Sequence, residues 1–148
     1  MREIAASEYA GLTREGSPSI VLCHQDFGRG NVIAAADGIY VLDLDGVTFD
    51  LPARDLRKII GKIAEKRGQW QAAAIKDIVD CYCEVNPLGN DEVQVLYIDM
   101  LFPHWFYGLV KNLFKNGKPL KAAEIERTAK LEESKAPLIR TLLRSHTR

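Results

Sequence analysis

The sequence predicts an α+β fold that is mostly α-helical, with its few strands gathered near the amino terminus. Three observations carry that expectation. From about Ser17 to Asp50, short β-branched and apolar runs alternate with turn residues; from Pro52 onward, apolar residues recur at helical spacing almost to the end. An Asp37-Gly38 pair separates two strand-like runs, a strong local hairpin signal. The chain has 148 residues, 47% hydrophobic and 27% charged, which suits one domain over 1–148 that buries a core without disulfides or a structural metal.

Taken in order, Ser19-Ile20-Val21-Leu22-Cys23 reads as the first strand. Asn31 to Ala36 and Ile39 to Asp43 read as hairpin arms, with Asp37 and Gly38 as turn residues of positive φ. Pro52 falls in the first turn of the first long helix, where its missing N–H costs nothing. Leu56, Ile59, Ile60, Ile63 and Ala64 then form one buried stripe. Arg57, Lys58, Lys62 and Lys66 fill the other faces and read as a solvated surface, with a basic patch as the alternative. A second helix over about 69–84 turns Ala74, Ile75, Ile78, Val79 and Tyr82 inward, and Asn86-Pro87-Leu88-Gly89 breaks it.

A third helical stretch opens near Asn90 or Asp91 and continues past Pro103, which is expected to kink or divide it. Its aromatic residues, Phe102, Trp105, Phe106, Tyr107 and Phe114, read as core or partner packing, with a ligand groove as the alternative. His104 among them reads as a core or interface histidine. Asn116-Gly117-Lys118-Pro119 ends the stretch. Two shorter helices are expected to follow, the last opening near Pro137 with Leu138, Ile139, Leu142 and Leu143 inward. His146 belongs to a basic tail with Arg140, Arg144 and Arg148, read as solvated.

Composition excludes several functions. Twenty Lys+Arg balance twenty Asp+Glu, so the broad positive field of a nucleic-acid binder is missing. No apolar run approaches the roughly 20 residues that span a bilayer. The opening MREIAASEYAGLTREGS has no apolar core of a secretory signal, so synthesis in the cytoplasm is expected. Cys23, Cys81 and Cys83 form no CxxC and point to a reducing compartment.

The zero total hides an uneven distribution. Residues 24–55 hold Asp26, Asp37, Asp43, Asp45, Asp50 and Asp55 against Arg29 and Arg54, a local net of −4. Aspartate suits turns, helix caps and metal ligation alike, so composition does not choose between them. Order and spacing say more. His24-Gln25-Asp26-Phe27-Gly28-Arg29-Gly30-Asn31 matches the H-x-D-x-x-x-x-N catalytic loop of kinase-type phosphotransferases. Asn31 and Asp43 lie on adjacent hairpin strands, where their side chains can converge on one magnesium-nucleotide. Asp26 would face the acceptor hydroxyl and take its proton. The string Asp26-Phe27-Gly28 also spells a magnesium-binding D-F-G, but His24 and Asn31 give it catalytic-loop spacing. The D-F-G counterpart is placed at Asp43-Leu44-Asp45-Gly46.

His24 to Asn31, Val41 to Gly46 and Asp50 to Ile60 together resemble the spore coat kinase-like (CotS-type) family. That family belongs to the aminoglycoside/choline phosphotransferase superfamily of the protein-kinase-like fold. The motif core spans 20–62, and the helical part, 52–146, fits the family's C-terminal lobe. The resemblance implies ATP- and Mg2+-dependent phosphoryl transfer to a hydroxyl on a small molecule or protein. It implies Asp26 as the base, Asn31 and Asp43 as ligands of Mg2+ and the nucleotide, and Asp45 as a further candidate ligand. By the same resemblance, Asp55 fixes the catalytic loop through its backbone and His24 orders it. Too few residues precede Ser19 for the nucleotide-covering N-terminal lobe, so the C-terminal lobe alone is expected, with weak nucleotide binding. The rival reading is a structural spore-coat protein that uses the lobe to bind other coat proteins or itself. A small metal-dependent hydrolase is a poorer third, because no histidine-rich ligand set is present.

Overall fold

The computed structural model describes residues 8–117 and 119–146; the expectations that touch the first seven residues, Lys118 and Arg148 lie outside these. A helical turn, α1 (Tyr9–Leu12), leads to β1 (Val21–Cys23), and a 3-10 turn over Arg29–Asn31 leads to β2 (Val32–Ala35) and β3 (Gly38–Val41). A second 3-10 turn, Leu44–Gly46, leads to β4 (Thr48–Asp50). Five helices follow: α2 (Ala53–Arg67), α3 (Ala72–Cys83), α4 (Asn90–Leu101), α5 (His104–Asn116) and α6 (Ala122–His146).

The strands form two antiparallel pairs, β1 with β4 and β2 with β3. The first pair brackets the second in sequence, so everything between Cys23 and Thr48 is projected from one small base. β4 has no counterpart among the expected strands: three residues are too few to show a period, and Thr48 is placed by its partner Cys23. The β2–β3 hairpin exists where expected, but its turn lies one residue earlier. Ala35 pairs with Gly38, which leaves Ala36 and Asp37 as the loop. Neither has positive φ, and Gly38 opens β3 in a nearly extended conformation. The Tyr40 hydroxyl donates to the Asp37 carboxylate at 2.8 Å and holds the turn in that register.

The core lies among the helices. α4 packs against α2, α6 and α1, and its Leu96 and Met100 are fully buried with Ile75 of α3 and Ile139 of α6. Burial of each such side chain contributes about 1.5–3 kcal/mol. Glu92 in the first turn of α4 accepts from the Gly89 N–H at 2.6 Å, satisfying one orphan donor of the helix start. α2 ends at Gly68, whose φ of 69° lets its N–H return to the last carbonyls. Pro103 divides α4 from α5, as one of the two expected outcomes.

The expectation for the C-terminal end fails as well. The last two short helices are a single 25-residue helix, α6, with Pro137 inside it. Leu131, Glu132, Lys135, Leu138, Ile139 and Leu142 continue one inward stripe across the proline, and Pro137 itself is exposed. The carbonyl that loses its N–H partner belongs to exposed Glu133, which water can serve. Packing on one face therefore outweighs a proline cost of about 3 kcal/mol on the other.

α6 also fixes the bend between α4 and α5. Lys135, 2% exposed, donates to the Phe102 carbonyl at 2.9 Å, pairs with Glu132 and lies 5.3 Å from the Trp70 ring centre. Burial pushes the Lys135 ammonium down from its ordinary pKa, and the Glu132 carboxylate opposes that push. Glu132 accepts from the Trp105 N–H at 2.8 Å, in the first turn of α5. The tip of the Trp105 indole in turn meets Gly61 of α2, where a Cβ would come within 1.7 Å of it.

Candidate functional site

The site is built on the loop between β1 and β2 and on the first turns of α2. Asp55, in the first turn of α2, accepts the backbone N–H of His24 at 2.7 Å. His24 is buried, and its Nε2 donates to the Leu42 carbonyl at 2.8 Å. With the hydrogen on Nε2, Nδ1 is left to accept the Asp26 N–H at 3.3 Å. One imidazole thus ties the loop to the end of β3. Gln25 between them has φ 68°, a left-handed conformation rare outside glycine. Its Nε2 donates to Asp50 at 3.1 Å, and Asp50 also caps the Leu51 N–H at 2.8 Å. The Gln25 Oε1 is buried and has no donor among the described residues.

This scaffold presents the Asp26 carboxylate outward, in an exposed position. The Asn31 amide donates to the Asp26 carbonyl at 2.9 Å and to its carboxylate at 3.4 Å. Lys58 of α2 makes an ion pair with the other Asp26 oxygen. Lys58 is therefore part of the site and not of a solvated face; only the fold, by laying α2 beside the loop, brings the two together. Burial, with the Lys62 charge second, pushes the Lys58 ammonium below its ordinary pKa.

Asn31 and Asp43 both lie at the open end of the hairpin. The Leu42 N–H donates to the Asn31 carbonyl at 2.9 Å, so Asp43 begins just beyond Asn31's partner. Asp43 is the second non-glycine residue of positive φ, at 59°. The Asp43 and Asp45 carboxylates are exposed and make no hydrogen bond or ion pair among the described residues. Among these residues no three His, Cys, Asp or Glu side chains form a ready metal cage. The available donors are the Asn31 amide oxygen and these carboxylates. Such hard oxygen ligands fit Mg2+, which is commonly held by one or two carboxylates together with substrate phosphates.

A cavity of about 910 Å3 opens beside Asp26 between α2, α5 and α6, with Arg54, Arg57, His104, Trp105 and Arg127 in its wall. Arg57 is fixed by Asp99 of α4 at 2.5 Å, and His104 Nε2 lies 3.2 Å from the same carboxylate. Burial raises the Asp99 pKa, but the hydrogen bond from His104 and the Arg57 charge outweigh it and hold the carboxyl below its ordinary value. Cys23 stands behind the loop with its thiol pushed up to about 11 by burial and by the Asp55 and Asp50 charges, so it stays protonated. No helix among the described residues is long and apolar enough to cross a membrane.

Comparison with known proteins gives two findings. Spore coat protein S of Bacillus subtilis (strain 168) is 29% identical over 140 residues. The alignment covers 91% of this chain and 40% of that protein, so the chain spans about two fifths of the relative's length. The family model described as "Spore coat putative kinase YutH" matches residues 12–138, from α1 through the whole loop and hairpin into α6. With that match running over most of its length, the chain belongs to this spore coat kinase-like family.

Proposed function

We propose that the chain is the C-terminal, phosphoryl-transferring lobe of a protein-kinase-like phosphotransferase of the aminoglycoside/choline type, associated with the spore coat. The observation that carries the reading is the setting of Asp26. It is an outward carboxylate at the mouth of a cavity, gripped by Asn31 and mounted on a loop that Asp55 and His24 hold by the backbone.

In this reading Asp26 orients an acceptor hydroxyl and takes its proton as the oxygen attacks the γ-phosphorus of ATP, while the bond from that phosphorus to the bridging oxygen breaks and ADP leaves. Asn31 and Asp43 would hold Mg2+, with Asp45 the further acid within the same turn. The ion, when bound, neutralises the phosphate charge. Lys58 places a positive charge beside Asp26, where negative charge develops on the transferred group. His24 and Asp55 act by positioning the loop.

The test uses the intact protein and its Asp26→Asn variant, with Mg-ATP and a panel of hydroxyl acceptors. The expected result is Mg2+-dependent transfer that Asp26→Asn lowers by about 10²–10⁴ in kcat with little change in KM for ATP. Equal rates for the two proteins would overturn the assignment. On the 148-residue chain, calorimetry is expected to give only weak Mg-ATP binding; tight binding would contradict a lobe that needs a partner lobe to close its cleft.

A second reading, a non-catalytic coat scaffold, is favoured by one specific observation. Leu22 and Phe49 face each other across β1–β4 and are 65% and 72% exposed, and Ile39 of the hairpin is 74% exposed. Such a surface suits protein contact. Absence of transfer in wild type and Asp26→Asn alike, with coat assembly intact in both, is the result that decides for it.

A further inference from the structure

The cavity beside Asp26 has a predominantly basic helical wall. Five basic side chains line the cavity against three acids, Asp26, Glu65 and Glu124. Three of the five are already matched: Arg57 by Asp99, Lys58 by Asp26 and Lys62 by Glu65. Arg54 of α2 and Arg127 of α6 make no ion pair among the described residues, and each reaches the same cavity from a different helix. The volume, about 910 Å3, lies within the range of small-molecule sites. Gln25 and Gly46 border the cavity on the loop side.

Resting on the phosphotransferase reading above, we propose that the acceptor is a small polyhydroxylated molecule bearing a carboxylate or phosphate. Its hydroxyl meets Asp26 and its anionic group is held by Arg54 and Arg127. Guanidinium groups suit this work because their fork of donors matches the oxygens of either anion. Trp105 and Leu109 offer an apolar wall for the carbon skeleton. An amine-bearing acceptor is disfavoured by the same charges.

The experiment compares four ligands of one carbon skeleton by calorimetry on the 148-residue chain: gluconate, glucose 6-phosphate, glucose and glucosamine. The expected order is at least tenfold tighter binding of gluconate or glucose 6-phosphate than of glucose, with glucosamine weakest. Whichever anion leads distinguishes a carboxylate from a phosphate acceptor. The Arg54→Gln/Arg127→Gln double variant should bring the anions to the level of glucose while leaving the melting temperature unchanged, since both side chains are exposed. Equal binding of all four, no binding of any, tighter binding of glucosamine, or displacement of the anion by Mg-ATP would each overturn the proposal. The readout is binding and not turnover, so the two readings fail separately. Arginine-dependent anion binding without phosphoryl transfer in the intact protein would refute the activity, whereas transfer without charge preference would refute only the anionic acceptor.

Discussion

Asp55 spends its carboxylate on a backbone N–H, and that choice governs what its replacement does. A hydrogen bond to a charged acceptor contributes about 1.5–3 kcal/mol. Asp55→Ala is expected to lose about that much in urea unfolding, and Asp55→Asn, which keeps an acceptor oxygen, distinctly less. Equal losses would show that the His24 bond is not the source. Asp99 gives a pH dependence. Its folded pKa is held below the ordinary 3.8, so its contribution to stability is present above that value and is lost as pH falls through the lower folded one. Arg57→Gln removes an attractive charge and leaves the burial that raises the pKa. The acid-unfolding midpoint is therefore expected to move to higher pH, and an unmoved midpoint would contradict the pairing. Local order along the chain placed His24, Asp26, Asn31, Asp43 and Asp55 in one region. It could not place Arg127 there, nor show that Lys58 turns to Asp26, because those approaches depend on how α2 and α6 pack.

At the level of elements, α5 meets α2 where Trp105 packs on Gly61. Gly61→Ala gains about 0.5–1 kcal/mol of helix preference but must displace the Trp105 indole, an overpacking cost of about 1–3 kcal/mol. Net destabilisation is expected, partly recovered by adding Trp105→Phe; a stabilised Gly61→Ala would show that α5 stands further off. Hydrophobic period revealed α2, α3 and α4 because each has a clear buried stripe. It misjudged α6, because a local rule about Pro137 was set against packing partners that the sequence does not show. The hairpin turn was misplaced by one residue for a related reason: the Tyr40–Asp37 hydrogen bond selected a turn that local preference for positive φ did not.

Over the described residues, the buried core lies mostly in α2, α3, α4 and α6, whereas apolar side chains on β1, β3 and β4 look outward. The isolated chain is therefore expected to self-associate with rising concentration in sedimentation velocity. Leu22→Ser/Phe49→Ser should weaken that association without lowering the melting temperature, because neither side chain reaches the core. An unchanged association constant would place the contact elsewhere.

The grip of Lys135 and Glu132 on the bend between α4 and α5 also sets an order in time. During synthesis the Phe102 carbonyl and the Trp105 backbone N–H wait for Lys135 and Glu132, which are joined about thirty residues later. The wall beside Asp26 therefore takes its final form only when α6 leaves the ribosome, and a chain cut short before Glu132 would hold the loop and hairpin without a finished pocket.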